Sequence, residues 1–187
     1  MEERQVQGVR MTDIASEAGI SRQALYLHFS TRAELLIATT LYIDDVHGSD
    51  ARLEASRAAK SGIERLDAFI EAWGNYIPEI HGVAKAMLAV LDTDADAAEA
   101  WGRRMQAMRE GCQAAISALQ NDKTLSSEWT VDTATDLLWT MLSVRNWEQL
   151  TKDCGWSKKE YVQRLQTQAK QVFVQGKATK RRRSGKT

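Results

Sequence analysis

Arg22, Gln23, Tyr26 and His28 fall inside one short stretch, MTDIASEAGISRQALYLHFSTRAELL, which runs from Met11 to Leu36. Their chemistry is that of nucleic-acid recognition. The Arg22 fork can give two hydrogen bonds to guanine O6 and N7, and the Gln23 amide can pair with adenine N6 and N7. Tyr26 and His28 carry donors suited to phosphate oxygens, as does Arg32 near a helix start that favours anions. Such residues read a duplex only when one surface presents them together. The local elements must therefore be worked out first.

Ile14, Ala15 and Ala18 share one face of a first short helix. Gly19 follows where a helix ends in a left-handed residue, a conformation that glycine adopts cheaply. Ile20 is expected to insert into the core, and the Ser21 hydroxyl to cap a second helix. On that helix Leu25 and Phe29 point inward, leaving Arg22, Gln23, Tyr26 and His28 outside. This is the layout of a helix-turn-helix, whose second helix enters the major groove. Arg10, Thr12, Ser21, Ala24 and Arg32 complete the candidate DNA-contact set. Any helical protein has short helices with polar outer faces, and a bare A-x-x-x-G turn would not separate the two readings. Here turn, cap, inward apolar set and outward polar set agree.

The stretch resembles the DNA-binding unit of the TetR family of transcriptional repressors. The likeness rests on Asp13, Ile14 and Ala15 before the glycine turn and on Leu25, Tyr26, His28 and Phe29 after it. Arg32 stands where the family usually has lysine. Further on, DLLWTMLSVRNWEQLTKDCGWSKKEYVQRL resembles the last two helices of many members, which form the dimer bundle. The resemblance implies a homodimer on a palindromic double-stranded DNA operator, released when a small-molecule inducer binds the C-terminal domain. Family members carry another helix ahead of this unit, whereas only MEERQVQGVR precedes it here, with Gly8 interrupting and Arg10 in place of the usual Ser or Thr cap. The favoured reading is that the natural start lies upstream of Met1. The other is a truncated chain, whose Ile14, Leu25 and Phe29 would lack cover.

The chain of 187 residues is long enough for one good core, or for a small domain joined to a larger one. It has 25 basic and 25 acidic residues, but six of the bases lie in the tail KATKRRRSGKT, Lys177 to Thr187. Without those six the body has 19 bases against 25 acids, a net charge near −6. A uniformly basic nucleic-acid binder is thereby excluded, and DNA contact must come from a local patch. MEERQVQ is charged rather than a signal peptide and no long apolar run occurs, so a cytoplasmic protein without a membrane segment is expected. Cys112 and Cys154 fit no disulfide or zinc spacing.

Helical periodicity recurs and strand signals are nearly absent, so the fold class is all-α. Ile63, Leu66, Ile70, Trp73 and Ile77 share one face, as do Trp101, Met105, Met108, Cys112, Ile116 and Leu119. Thr31–Glu34, Ser61–Glu64 and Ser157–Glu160 have the capping-box form, with Thr93–Asp96 a weaker version. Helices are predicted near 11–17, 21–28, 31–46, 61–80, 83–91, 94–121, 130–153 and 157–175, with loops at His47–Ser61 and Asn121–Trp129. The division is a helix-turn-helix unit at 1–46, a helical ligand-binding and dimerisation domain at 47–176, and a disordered basic tail at 177–187.

Leu137, Met141, Val144 and Leu150 are candidates for the apolar side of a four-helix dimer interface. Trp73, Tyr76, Met87, Trp101, Met105, Met108, Trp139 and Trp147 are candidate linings of a pocket, since Met-rich walls adapt to varied apolar shapes. Taken singly, each reads first as an ordinary core residue. Arg145 could meet an anionic ligand or pair with Glu148. Asp92, Asp94 and Asp96 imitate a calcium loop, but Ala97 and Arg103 stand where glycine and glutamate are needed. His28, His47 and His81 form no metal-ligand spacing, and no nucleophile–base set or phosphate loop appears. No cofactor, metal site or catalytic residue is expected. Two rival functions remain: a helical dimeric small-molecule-binding protein with impaired DNA binding, and a thiol sensor using Cys112.

Overall fold

The computed structural model describes residues 10–46 and 49–175. Its α-helices are α1 (Met11–Glu17), α2 (Arg22–His28), α3 (Arg32–Val46), α4 (Ser49–Arg57), α5 (Gly62–Leu88), α6 (Ala95–Asn121), α7 (Val131–Met141), α8 (Val144–Glu148) and α9 (Lys158–Phe173), with a π-helical turn at Gln149–Asp153. The sole β pairing among the described residues is an isolated antiparallel bridge, Leu125 to Val174. The fold is all-α, a helix-turn-helix region followed by a helical body.

The helix starts obey the hydroxyl half of the capping pattern. Thr31, Ser61 and Ser157 accept from the N–H of Glu34, Glu64 and Glu160 at 3.0, 3.2 and 3.1 Å. The carboxylate half departs from it. Glu34 accepts from the Ser30 N–H at 2.7 Å and Glu64 from the Lys60 N–H at 3.0 Å, each one residue ahead of the cap. Glu160 turns instead to Arg164 at 2.8 Å. Before α6 the cap is Asp94 rather than Thr93, its carboxylate accepting from the Ala97 N–H at 2.9 Å.

Three predicted boundaries are corrected. Helices expected at 61–80 and 83–91 are one helix, α5, which runs straight through Pro78. Proline removes one hydrogen bond there, but Ile77 before it and Ala84 after it are both buried in the main core, which holds the two sides together. The loop expected at His47–Ser61 contains α4. SDARLEASR has little apolar content, so this helix exists because it docks: Leu53 packs on the main core and the Ser56 hydroxyl donates to the Arg65 carbonyl at 3.1 Å. The helix expected at 130–153 is broken at Leu142–Ser143. There the Ser143 hydroxyl caps α8 by accepting from the Asn146 N–H at 3.2 Å. The Asn121–Trp129 loop is as expected, apart from Asn121, and is tied down at its far side: the Trp129 indole donates to the Val172 carbonyl at 2.9 Å.

The body packs around α5, which lies against α4, α6, α9 and α3. Its main core includes Leu66, Ile70, Ile77, Cys112, Ile116, Leu119, Leu138, Tyr161 and Phe173. Leu137, Met141, Val144 and Leu150, the residues expected to face a partner, all pack in or against this same core. A second cluster of Ala33, Leu36, Met87 and Ala97 joins α3 to α5 and α6. A third, of Met11, Ala15 and Leu25, lies within the N-terminal unit. The expected tail at 177–187 and His47 lie outside the described residues.

Two glycines make a direct comparison. A Cβ on Gly62 would stand 2.6 Å from the Ala118 and Leu119 backbone, whereas one on Gly102 would meet nothing within 4 Å. Gly62→Ala should destabilise the chain by about 1–3 kcal/mol through overpacking. Gly102→Ala should stabilise it by about 0.5–1 kcal/mol, since glycine is costly in a helix interior. Urea denaturation should move the two midpoints in opposite directions; equal shifts would refute the α5–α6 contact.

Candidate nucleic-acid interface and adjoining cavities

The turn between α1 and α2 is fixed by backbone chemistry. Ala18 caps α1 and Gly19 follows at φ +67°. The Gly19 N–H donates to the Ser16 carbonyl at 3.1 Å and the Ile20 N–H to the Ala15 carbonyl at 3.0 Å, the paired bonds of a Schellman motif. Ser21 then caps α2, its hydroxyl accepting from the Ala24 N–H at 3.0 Å. Arg10 occupies the cap of α1 without acting as an acceptor. Asp13 reaches back instead, accepting from the Arg10 N–H at 3.1 Å, and this bond holds the Asp13 carboxyl below its ordinary pKa.

One residue expected in the core lies outside it. Ile20 is 42% exposed, whereas Met11, at 7% exposure, packs with Ala15 and Leu25. Ile14, Phe29 and Leu35 close the rest of that small core. Met11 carries no signal of its own in the sequence, standing at the first position of a helix whose inward set begins to repeat only from Ile14.

On the outer side of α2, Arg22, Gln23, Tyr26 and His28 are all exposed, as are Ser21 and, on or before α1, Arg10 and Thr12. Ala24 is half-buried under them, and Arg32 is half-buried at the start of α3. The Arg22 guanidinium lies 5.3 Å from the centre of the Tyr26 ring, so the two residues form one cation–π unit. Leu27 is 81% exposed on the same helix, four residues after Gln23. Sequence alone does not single it out, since a leucine in a short helix reads as core. An exposed leucine here has the chemistry to meet a thymine methyl.

Two cavities adjoin this unit's support. One, of about 290 Å³, lies among α4, α5 and α6, with Arg52, Arg57, Trp73, Tyr76, Arg104 and Met108 on its wall. The other, of about 280 Å³, lies against α3, with Ile37, Thr40, Leu41, Met87 and again Arg104. Of the expected ligand set, Trp73, Tyr76 and Met108 share the first cavity, Met87 lines the second, and Trp101 lines a smaller one beside Thr40. Met105 and Trp139 are half-buried against the main core and line none of these. Trp147 is buried with its ring 5.0 Å from that of His81. Arg145 is exposed and lines none of them either. Glu148 pairs with Lys85 at 2.7 Å rather than with Arg145, and that hydrogen bond lowers the Glu148 pKa. Arg52 and Arg57 escape sequence reasoning because their polar helix has the composition of a loop.

The thiols separate cleanly. Burial pushes the Cys112 thiol up to about 12, while Cys154 is exposed. A buried thiol with so little thiolate at neutral pH is a poor nucleophile. Titration of the native chain with an aromatic disulfide reagent at pH 8 should give one fast thiol, lost in Cys154→Ser. Fast modification of Cys112 would revive the thiol-sensor reading.

Residues 1–39 match a family described as bacterial regulatory proteins, tetR family. Among curated proteins, none matches the chain in sequence. Solved structures are similar along most of the chain. A candidate transcriptional regulator from Saccharomonospora viridis, in complex with choline, is 17% identical over 93% of this chain and 91% of its own, with a TM-score of 0.77. The TetR-family regulator PfmR from Thermus thermophilus is 20% identical over 88% and 87%, with a TM-score of 0.65. The ketosteroid transcriptional regulator KstR2 of Mycobacterium tuberculosis is 17% identical over 93% and 89%, with a TM-score of 0.61.

Proposed function

We propose, from the premise that this chain belongs to the TetR family of bacterial regulators through its N-terminal unit, that it is a homodimeric repressor released from a palindromic operator by a small molecule. The observation that carries this reading is the outer surface of α2. A short helix fixed by Gly19 and Ser21 exposes Arg22, Gln23, Tyr26 and His28 together over a small apolar core. Arg22 and Gln23 stand at the start of the helix, where a recognition helix meets base edges. Tyr26, His28 and Arg32 are the phosphate contacts, and Leu27 is an added base contact.

One copy offers one reading helix, so a palindrome needs two. The dimer is assigned to the α7–α9 region. Its apolar residues already engaged in the chain's own core leave Leu137, Trp139, Leu150 and Trp156, all half-buried, as the apolar contribution. The ligand-responsive part is the body around α5. The Saccharomonospora viridis protein holds choline and the Mycobacterium tuberculosis protein is a ketosteroid regulator, which supports a small-molecule role for the equivalent part of this chain without fixing the ligand. A cytoplasmic location follows from a DNA partner.

The test is a selection of genomic fragments bound by the purified chain, repeated at two salt concentrations. A palindrome with half-sites about one helical turn apart supports the repressor. Recovery of random DNA only, or of none, favours the rival dimeric small-molecule binder. Arg22→Ala should cost roughly 1–3 kcal/mol at one base pair and relax sequence choice there. Equal binding of all sites by variant and parent would remove α2 as the reading helix.

A further inference from the structure

We infer that the cleft between α3 and α6 is the effector site of this chain, and that it takes a neutral, largely hydrocarbon molecule of roughly a dozen carbon atoms. The inference rests on the ligand-responsive reading above and gives that ligand a place and a chemical class.

The cleft follows from residue size along two helices. Where Ala33 and Leu36 of α3 meet Ala97 of α6, all three side chains are buried together. Cover thins toward the later turns of both helices. On α6, Ala100 is half-buried and Ala107 is exposed. Ala107 stands about 15 Å farther along the helix than Ala97 at 1.5 Å per residue. On α3, Ile37 is half-buried and Leu41 is 63% exposed. These four residues line a cavity of about 280 Å³, with Met87 of α5 also on its wall. The small α6 side chains thus leave a gap that the larger α3 side chains do not fill. An exposed leucine at the rim of an apolar hollow is surface that a ligand removes from water.

Polarity decides the class. Thr40, Arg103 and Arg104 reach the wall, and each is engaged within the chain. The Thr40 hydroxyl donates to the Leu36 carbonyl at 2.7 Å, Arg103 pairs with Glu99, and Arg104 Nη2 donates to the Tyr76 hydroxyl at 2.7 Å. No aspartate or glutamate lines the cleft among the described residues. A charged ligand entering here sheds its water and must break one of these contacts to find a partner. A hydrocarbon carries no such penalty. Volume sets the size. An apolar cavity of about 150 Å³ holds benzene, so nearly twice that suits two fused rings or one ring with a short chain. A helix of a partner protein, about 10 Å across, would not fit.

The same cleft touches the element that joins the two parts of the chain. Ile37, Thr40 and Leu41 belong to α3, whose Leu35 closes the N-terminal cluster. A molecule lodged in the cleft props the later turns of α3 away from α6 while Ala33 and Leu36 stay packed on Ala97. Occupancy of the cleft is thereby coupled to the placement of the reading surface.

Thermal melts and tryptophan-fluorescence titrations with naphthalene and butylbenzene, against 1-naphthoate and 1-naphthylmethylammonium at matched ionic strength, test the class. At least one hydrocarbon should raise the melting temperature and bind roughly tenfold or more tightly than either charged analogue. Leu41→Glu puts a charge on the rim, and Ala100→Leu fills the gap from α6. Each should weaken that hydrocarbon on the order of tenfold. Ala72→Leu narrows the cavity among α4, α5 and α6, which α3 does not line, and should leave binding unchanged. Circular dichroism and the melt without ligand establish that the variants fold, and Leu41→Glu, at an exposed position, decides the matter if Ala100→Leu does not fold. If neither hydrocarbon shifts the melt at aqueous saturation, if a charged analogue binds as well, or if Leu41→Glu binds as the parent does, the inference is overturned. DNA binding is measured in the same samples. Its absence without ligand would sink the regulator reading alone, and a bound hydrocarbon that leaves the DNA complex intact would sink the effector role.

Discussion

Leu35 and Leu36 are neighbours in α3, yet they belong to different cores. Leu35 closes the small cluster of Met11, Ala15 and Leu25, and Leu36 packs with Ala33, Met87 and Ala97 of the cluster facing α5 and α6. Successive helical residues point about 100° apart, so one helix can serve two partners only by carrying apolar groups on more than one face. Among the described residues, α1 and α2 pack chiefly on each other, and α3 is the helix that meets the body. The orientation of the N-terminal unit is therefore set by how α3 sits on α5 and α6.

That arrangement explains the energetics of the two ends. The body buries large side chains completely, among them Tyr161, Phe173, Leu66 and Ile116. Close approach of helices is enforced where a side chain would not fit: a Cβ on Gly74 would lie 2.6 Å from Val162. The N-terminal cluster is made from a few residues and leaves Ile20, Tyr26 and Leu27 exposed. A rigid body and a lightly built reading unit thus share a single helix.

The parts legible in the sequence are those set by neighbours along the chain. Gly19, Ser21, Ser61 and Ser157 act through bonds to residues within a few positions, and each does in the structure what its type and spacing imply. The parts that are not legible depend on packing between distant segments. The break expected between 80 and 83 does not occur, because Ile80, Ala84 and Met87 are buried along a continuous α5. SDARLEASR has too few apolar residues to announce a helix, so Arg52 and Arg57 could not be placed beside Trp73 and Tyr76. The Leu142–Ser143 break sits in a continuous apolar pattern, and the capping serine at 143 is the one local sign of it. For the candidate interface the residue types are readable, but the exposure of Ile20 and Leu27 is not, because it depends on which side chains fill the small core.

The seating of α3 carries a mechanical consequence. Its 15 residues span roughly 22 Å at 1.5 Å per residue, yet Ala33, Leu36 and Ile37, which pack with residues of α5 and α6, lie in its first two turns, beside the Leu35 that closes the N-terminal cluster. The seat on the body and the seat of α1 and α2 are thus about one helical turn apart. A tilt of α3 on α5 and α6 is therefore passed to α1 and α2 as a rotation, with no length of helix between them to absorb it and no turn that has to melt.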